Sequence, residues 1–265
     1  VGSYASIGIN GFHFSLSKNH VSPIWLTLYR ENDKKIESVQ DEDNEERLIC
    51  EYCTTVKNIK LRLDILGFTI DKAKKEFISY NESVQYCSYL SGEGFVEIEI
   101  NNYTFDNWLK SLECIINSPY SHYLYYKDNI VITDYPMQYF MMNADYEGES
   151  IFGFISSDMR YVFRAILELY GDDENCVIDF SSLVDGGWCS ENDRICEETL
   201  VELADSYIRN ERIILLTEGS SDISIIKRSM NILNPEVVDF YSFMDFNTTN
   251  VCKLKMRLNL NCRQS

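Results

Sequence analysis

Ile213-Ile-Leu-Leu-Thr-Glu-Gly-Ser-Ser-Asp222 is the stretch on which the reading of this chain turns. Its first four residues form a short continuous apolar run, the pattern of a strand covered on both faces in a parallel sheet. After Thr217, Glu218 to Asp222 is a turn rich in helix-capping residues, and Ile223 to Leu233 follows as an amphipathic helix stopped by Asn234-Pro235. Val237 to Phe246 reads as a second apolar strand. Strand, helix and strand at this length make a right-handed crossover unit with parallel strands. Glu218 ends the first strand and is delivered to the carboxyl edge of the sheet, where open α/β folds bind ligands. Gly219 is expected to let the backbone turn without a Cβ clash. Asp222 falls in the first helical turn and can point back to the same spot, and Asp245 ends the second strand on that edge. Three such carboxylates would form an oxygen-rich site for Mg²⁺ or Mn²⁺. The structural alternative is a solvated turn, a helix-dipole partner and an ordinary strand end.

Upstream of this unit the chain reads as a mixed α+β body. Tyr4 to Ile9 and Phe12 to Leu16 alternate around Asn10-Gly11, a hairpin signal. Pro23 to Tyr29 is expected to be a further strand, and Asp33 to Arg47 a charged loop. A helix follows from about Thr55, with Val56, Ile59, Leu63 and Leu66 at helical spacing and Gly67 as its left-handed stop. Thr69 caps a second helix, Asp71 to Tyr80. Phe95 to Ile100 alternates as a strand, and Thr104 caps a helix with Trp108, Leu112 and Ile115 on one face. Ile130 to Ile132 and Gln138 to Met142 read as strands, Asp158 to Tyr170 as a helix ended by Gly171, and Cys176 to Phe180 as a strand. Leu183-Val-Asp-Gly-Gly-Trp188 then leads into a helix over Glu197 to Arg209. The expected domains are 1–210, an α+β body, and 211–250, an incomplete α/β unit. An atypical basic tail, 251–265, completes the chain.

Composition limits the function classes. The chain has 265 residues, 45% of them hydrophobic, enough for a real core. Its 42 acids against 24 bases give −18, which argues against a non-specific nucleic-acid coat. No apolar run approaches the ~18 residues of a membrane span, and the start lacks a basic region followed by an apolar stretch. A cytoplasmic protein with no membrane role is expected. The nine cysteines are odd in number and scattered, as suits reduced thiols. Cys50-Glu-Tyr-Cys53 lacks the second pair that a zinc ribbon needs, so it reads as structural. His13, His20 and His122 read as structural as well. Trp25, Trp108 and Trp188 are expected in the core. Tyr120, Tyr123, Tyr125 and Tyr126 could stack on bases, but with only Lys127 beside them packing is favoured. Val1 suggests a GTG start codon taken literally, a pointer to a bacterial gene.

Leu215-Leu-Thr-Glu218-Gly219-Ser-Ser-Asp222 resembles the opening motif of the Toprim (topoisomerase–primase) fold. The body before it resembles the HEPN/Toprim N-terminal domain of bacterial conflict-system proteins. That second likeness rests on Gly2-Ser-Tyr-Ala-Ser6, Thr54-Thr-Val-Lys-Asn58, Arg62-Leu-Asp-Ile-Leu-Gly-Phe68 and Leu183-Val-Asp-Gly-Gly-Trp188. The resemblance would cover residues 2 to 250. It implies a metal-dependent, nuclease-type protein that processes nucleic-acid phosphodiesters, plausible in phage defence, with Glu218 as metal ligand or general acid/base and Asp222 as a further ligand.

Two departures qualify what the resemblance implies. Toprim enzymes share a later strand ending in Asp-x-Asp, and here no acid follows Asp245; Asp41-Glu-Asp43 lies in a hydrophilic stretch instead. Up to Asn250, 20 bases stand against 42 acids (−22), whereas residues 251–265 hold Lys253, Lys255, Arg257 and Arg263 and carry +4. A lost reading frame or a truncation near Asn250 is the expectation, with no activity and no bound Mg²⁺ or Mn²⁺ in this chain. Metal-free HEPN-type RNA cleavage needs Arg followed four to six residues on by His, and no histidine here has that spacing. The competing expectation is a non-enzymatic recognition or regulatory module that binds a protein partner or phage trigger; the charge of the first 250 residues favours a protein.

Overall fold

The computed structural model describes residues 2–40, 46–81, 84, 86–91, 94–118, 133–134, 136–143, 150–199 and 213–245. The chain divides into two compact units, Val1–Ser206 and Tyr207–Ser265. No helix among the described residues is long and apolar enough to cross a membrane.

In the first unit, Tyr4–Ile9 (β1) and Phe12–Lys18 (β2) form the expected hairpin. Asn10 (φ 51°) and Gly11 (φ 79°) take the left-handed backbone that a two-residue turn of this kind demands. Further along are Lys34–Gln40 (β3), Glu46–Thr55 (β4), and the helices Val56–Ile65 (α2 after the short α1, Pro23–Leu26) and Ile70–Asn81 (α3). A separate antiparallel pair, Tyr86–Ser91 (β5) with Gly94–Glu99 (β6), precedes Phe105–Ile116 (α4) and Met137–Asn143 (α5). Ser150–Ile151 (β7) and Phe154–Ile155 (β8) make a tight hairpin before Met159–Ile166 (α6). The unit continues through Asn175–Asp179 (β9) and Ser181–Asp185 (α7). The main sheet has the order β2-β1-β9-β4-β3, antiparallel throughout. This is the expected α+β architecture.

β9 occupies the middle of that sheet. It pairs with β1 from Ser6↔Asp179 to Ile9↔Cys176, and with β4 from Glu51↔Asp179 to Thr55↔Asn175. Ala5, Ile7 and Ile9 of β1, Cys50 and Tyr52 of β4, and Cys176 and Ile178 of β9 are all buried. They join one core with Val56, Ile59 and Leu63 of α2, Phe77 of α3, Trp108 of α4 and Phe163 of α6. The rings of Trp108 and Phe77 each meet Phe154 edge-on, at 5.2 and 4.9 Å.

Several elements differ from the sequence expectation. Pro23 to Tyr29 holds the helix Pro23–Leu26 instead of a strand: Pro23 presets the first turn after Ser22, and Trp25 and Leu26 are buried. A short apolar run fits a buried helical turn as well as a strand. The charged stretch from Asp33 is largely β3, an edge strand whose wet side accepts lysines and glutamates. Residues 41–45, with Asp41 and Asp43, lie outside the described residues, as do Ile130 to Ile132, His122 and the tyrosines between 120 and 126. Gln138 to Met142 is helical, and the Gln138 Oε1 accepts from the backbone N–H of Thr133 at 2.8 Å and of Asp134 at 3.2 Å. Trp25 and Trp108 are core residues, but Trp188 is 57% exposed.

Three buried arginines tie segments together. The Arg62 Nη1 donates to the Leu28 carbonyl at 2.8 Å and to Asp33 Oδ2 at 2.7 Å. Asp33 Oδ2 also accepts from the Arg30 backbone N–H at 2.8 Å, so one pair fixes the whole Leu28–Asp33 turn. Arg160 clasps Asp158 and lies 4.2 Å over the Phe68 ring. Arg164 Nε bonds Asp64 Oδ1 at 3.0 Å, linking α6 to α2. At the end of α2, Gly67 (φ 90°) donates to the Asp64 carbonyl and Phe68 to the Leu63 carbonyl, the paired bonds of a Schellman stop.

Four outcomes follow from this packing. Arg62→Met strands Asp33 and the Leu28 carbonyl and is expected to lower stability by about 3–5 kcal/mol in urea unfolding. Gly67→Ala forces a Cβ into left-handed backbone and should cost ~1–2 kcal/mol. Gly171→Ala, where the new Cβ would sit 3.6 Å from Glu174, should stay within about 0.5 kcal/mol. Finally, burial pushes the Cys176 and Cys196 thiols from 9.0 to about 12. The unfolded chain releases those protons first, so stability is retained below about pH 9 and falls as pH rises towards 12. The fall in the urea midpoint over that range should be shallower in the Cys176→Ala/Cys196→Ala variant than in the wild type.

Candidate carboxylate edge

The second unit is described over Ile213–Thr217 (β10), Ser220–Leu233 (α8) and Tyr241–Asp245 (β11). The two strands are parallel, in register from Ile213↔Tyr241 to Thr217↔Asp245. The helix between them follows from the sequence: Gly219 stands at the N-cap with extended backbone, and Asn234-Pro235 ends the helix. The second strand is shorter than expected, because Pro235–Phe240 winds into a 3-10 helix whose Val237, Val238 and Phe240 supply the buried residues. An apolar run carries no periodicity long enough to separate these two conformations.

Glu218 directly follows β10 and is exposed; Asp222 is exposed in the first turn of α8. Thr217 Oγ1 donates to the Gly219 carbonyl at 2.9 Å, fastening the turn between them. Asp222 Oδ2 lies 3.8 Å from the position a Cβ would take on Gly219, so its carboxylate is turned towards that bend. Gly219 itself has φ −140°, and its hypothetical Cβ meets nothing closer than 3.6 Å. The expected steric need for glycine is therefore corrected: an ordinary residue fits. The register sets Asp245 beside Thr217, so the backbone positions of Glu218 and Asp245 share the carboxyl edge. The Asp245 side chain lies outside what the structure describes.

Carboxylate oxygens suit a hard divalent cation in kind. No group of three or more metal-binding side chains occurs among the described residues, which do not include the side chain of Asp245. The expectation that β10 is covered on both faces is also corrected. Ile214 is 47% and Leu216 43% exposed, and the two strands and one helix described in this unit do not enclose the sheet.

The motif residues of the first unit have structural work. Gly2 to Ser6 and Leu183 to Trp188, far apart in sequence, meet: Tyr4 N donates to Ser182 Oγ at 3.4 Å, and a Cβ on Gly186 would fall 2.1 Å from Ser3 Oγ. Gly187 (φ 69°) donates to the Val184 carbonyl and Trp188 to the Leu183 carbonyl, a second Schellman stop. Thr54 Oγ1 accepts from Asn58 Nδ2 at 3.1 Å, and Thr55 Oγ1 caps α2 through the Asn58 N–H. Cys50 is buried in β4 with its thiol held up by burial, while Cys53 Sγ is 3.3 Å from Lys35 Nζ. His20 Nδ1 lies 2.9 Å from the Lys18 carbonyl. Sequence reasoning missed a polar cavity lined by Glu113, Ser118, Tyr170 and Glu174, residues that only the fold brings together.

Comparison with known proteins gives one match. The model of the HEPN/Toprim N-terminal domain 1 family matches residues 1–205. No curated protein and no solved structure matches the chain. The match takes in β1 through α7, including all four motifs, and covers most of the 265 residues, so the chain belongs to the HEPN/Toprim N-terminal domain 1 family.

Proposed function

We propose that the chain is the N-terminal part of a Toprim-containing, metal-dependent protein of the nuclease type, one that processes nucleic-acid phosphodiesters in bacterial phage defence. The observation that carries this reading is the parallel register Thr217↔Asp245, together with Glu218 at the end of β10 and Asp222 turned back from α8. In this reading Glu218, Asp222 and Asp245 begin the carboxylate edge of a Toprim-like unit. Mg²⁺ or Mn²⁺ bound there would supply charge neutralisation for phosphate oxygens. Glu218 would hold the ion or move a proton, and Asp222 would add a second oxygen donor. Within these 265 residues no acid follows Asp245, so the edge is incomplete and the chain by itself is inactive. Mg²⁺ surrenders its waters reluctantly and is held poorly by so few carboxylates.

The −22 carried by the first 250 residues supports a second reading, in which this domain recognises a protein partner or phage trigger without chemistry of its own. Gel shifts with DNA and RNA at low salt separate the two: binding that needs Mg²⁺ supports the nuclease lineage, and no shift under any condition supports the protein-binding module.

The carboxylate edge can be tested without turnover. Mn²⁺ titrated into the labelled protein should broaden the amide resonances of Glu218, Asp222 and Asp245 first, and Glu218→Gln with Asp222→Asn should abolish that broadening. No cleavage of DNA or RNA is expected from this chain. Broadening that begins elsewhere would remove the edge, and Mg²⁺-dependent cleavage lost in Glu218→Gln would show that the edge is complete without further acids.

A further inference from the structure

The first unit contains a cavity of about 220 Å³ where three segments meet: the tip of the β1–β2 hairpin, the end of α4, and the chain leading into β9. Three of the residues that line it each carry a buried polar atom with no hydrogen-bond partner: Ser118 Oγ, Tyr170 OH and Glu174 Oε2. Such orphaned atoms are uncommon in folded proteins, and each costs desolvation energy unless something fills the space. Here the residues that carry them line a single cavity.

The electrostatics of the lining have one sign. Glu113 and Glu174 both face the cavity, and among the described residues no lysine or arginine lines it. α4 ends at its rim, with Asn117 as the C-cap, so the negative end of that helix dipole is directed there too. Burial and the nearby Glu174 carboxylate hold the Tyr170 hydroxyl protonated, leaving it neutral. Phe12, Ile116 and Leu169 supply an apolar floor beside these oxygens. A bare divalent ion would want several carboxylates within ~2.6 Å of one point, far less space than this.

We infer that this cavity binds a small organic cation, an alkylguanidinium or primary alkylammonium, whose N–H groups donate to Glu174 Oε2, Tyr170 OH and Ser118 Oγ and whose aliphatic stem lies on Phe12 and Leu169. The guanidinium fork suits three separated acceptors, and its weak hydration favours a half-enclosed site. The site belongs to the first unit and does not depend on the function proposed above.

Isothermal titration calorimetry on the full chain tests it, with agmatine, putrescine and end-blocked arginine as probes and n-butylurea as the neutral control. Saturable one-site binding of at least one cation is expected, with no binding of n-butylurea. Glu174→Gln should weaken it ~10-fold or more, by loss of a charged hydrogen bond, and Tyr170→Phe about 5-fold. Both changes are nearly isosteric; should either unfold the chain by circular dichroism, Ser118→Ala replaces it with the same expected direction. Agmatine or putrescine binding above blocked arginine marks a free metabolite as the source, and the reverse order marks an arginine side chain of a partner protein. Absence of saturable binding by any cation overturns the inference, as would equal binding of n-butylurea or affinities unchanged in the variants.

Discussion

Everything in the first unit depends on β9 being seated between β1 and β4. The central strand of the sheet comes from residues 175–179, while its neighbours come from residues 4–9 and 46–55. Neither neighbour completes its hydrogen bonds until the chain has run almost the full length of the domain. The seating is fastened beyond the ladder itself. Phe180 N donates to the Cys50 carbonyl at 3.0 Å, Cys50 N to Ser181 Oγ at 2.9 Å, and the Tyr29 hydroxyl to Cys176 Sγ at 3.0 Å. Pairings of such long sequence separation make the loop between them costly to close and the sheet slow to form. The helices α2, α3, α4 and α6 lie in that loop, and their buried faces give the closure its return in apolar contact.

That constraint explains why the family motifs are scattered. Gly2 to Ser6 leads into β1, Thr54 to Asn58 turns β4 into α2, Arg62 to Phe68 ends α2, and Leu183 to Trp188 ends α7. Each lies where a strand of the central sheet begins, ends or is gripped. Arg62 secures the Leu28–Asp33 turn, Asp64 receives Arg164, and Phe68 carries Arg160 on its ring. These four stretches are therefore parts of the frame in this chain. A residue held for frame reasons carries no information about a ligand, and the polar cavity contains none of these motif residues.

Local chemistry was readable from the sequence and tertiary context was not. Thr55, Gly67, Thr104 and Asn10-Gly11 act through their own neighbours, so caps, stops and the hairpin tip fall where the residues put them. Pro23–Leu26 and Gln138–Met142 were misread because a short apolar run fits a buried helical turn and a strand equally well. β3 was hidden by its charges, which an edge strand tolerates. The order of the sheet was invisible, since nothing in Cys176–Phe180 states that it lies between two strands more than a hundred residues away. The cavity was hidden for the same reason: Glu113, Ser118, Tyr170 and Glu174 share no spacing.

The second unit shows what separates a placed carboxylate from a binding one. Its backbone puts positions 218 and 245 on one edge by register alone, which is why that edge could be read from the alternation of strand, helix and strand. Affinity for an ion needs more than position: the oxygens must be held in place so that the ion's lost waters are replaced without further ordering. Exposed side chains such as Glu218 and Asp222 keep their rotamer freedom, and the sheet beneath them leaves Ile214 and Leu216 largely open. Covering that sheet would remove apolar surface from water and stiffen the strand ends together, so burial of Ile214 and Leu216 and ordering of the carboxylates are coupled. The edge becomes a site only to the extent that its own floor is packed.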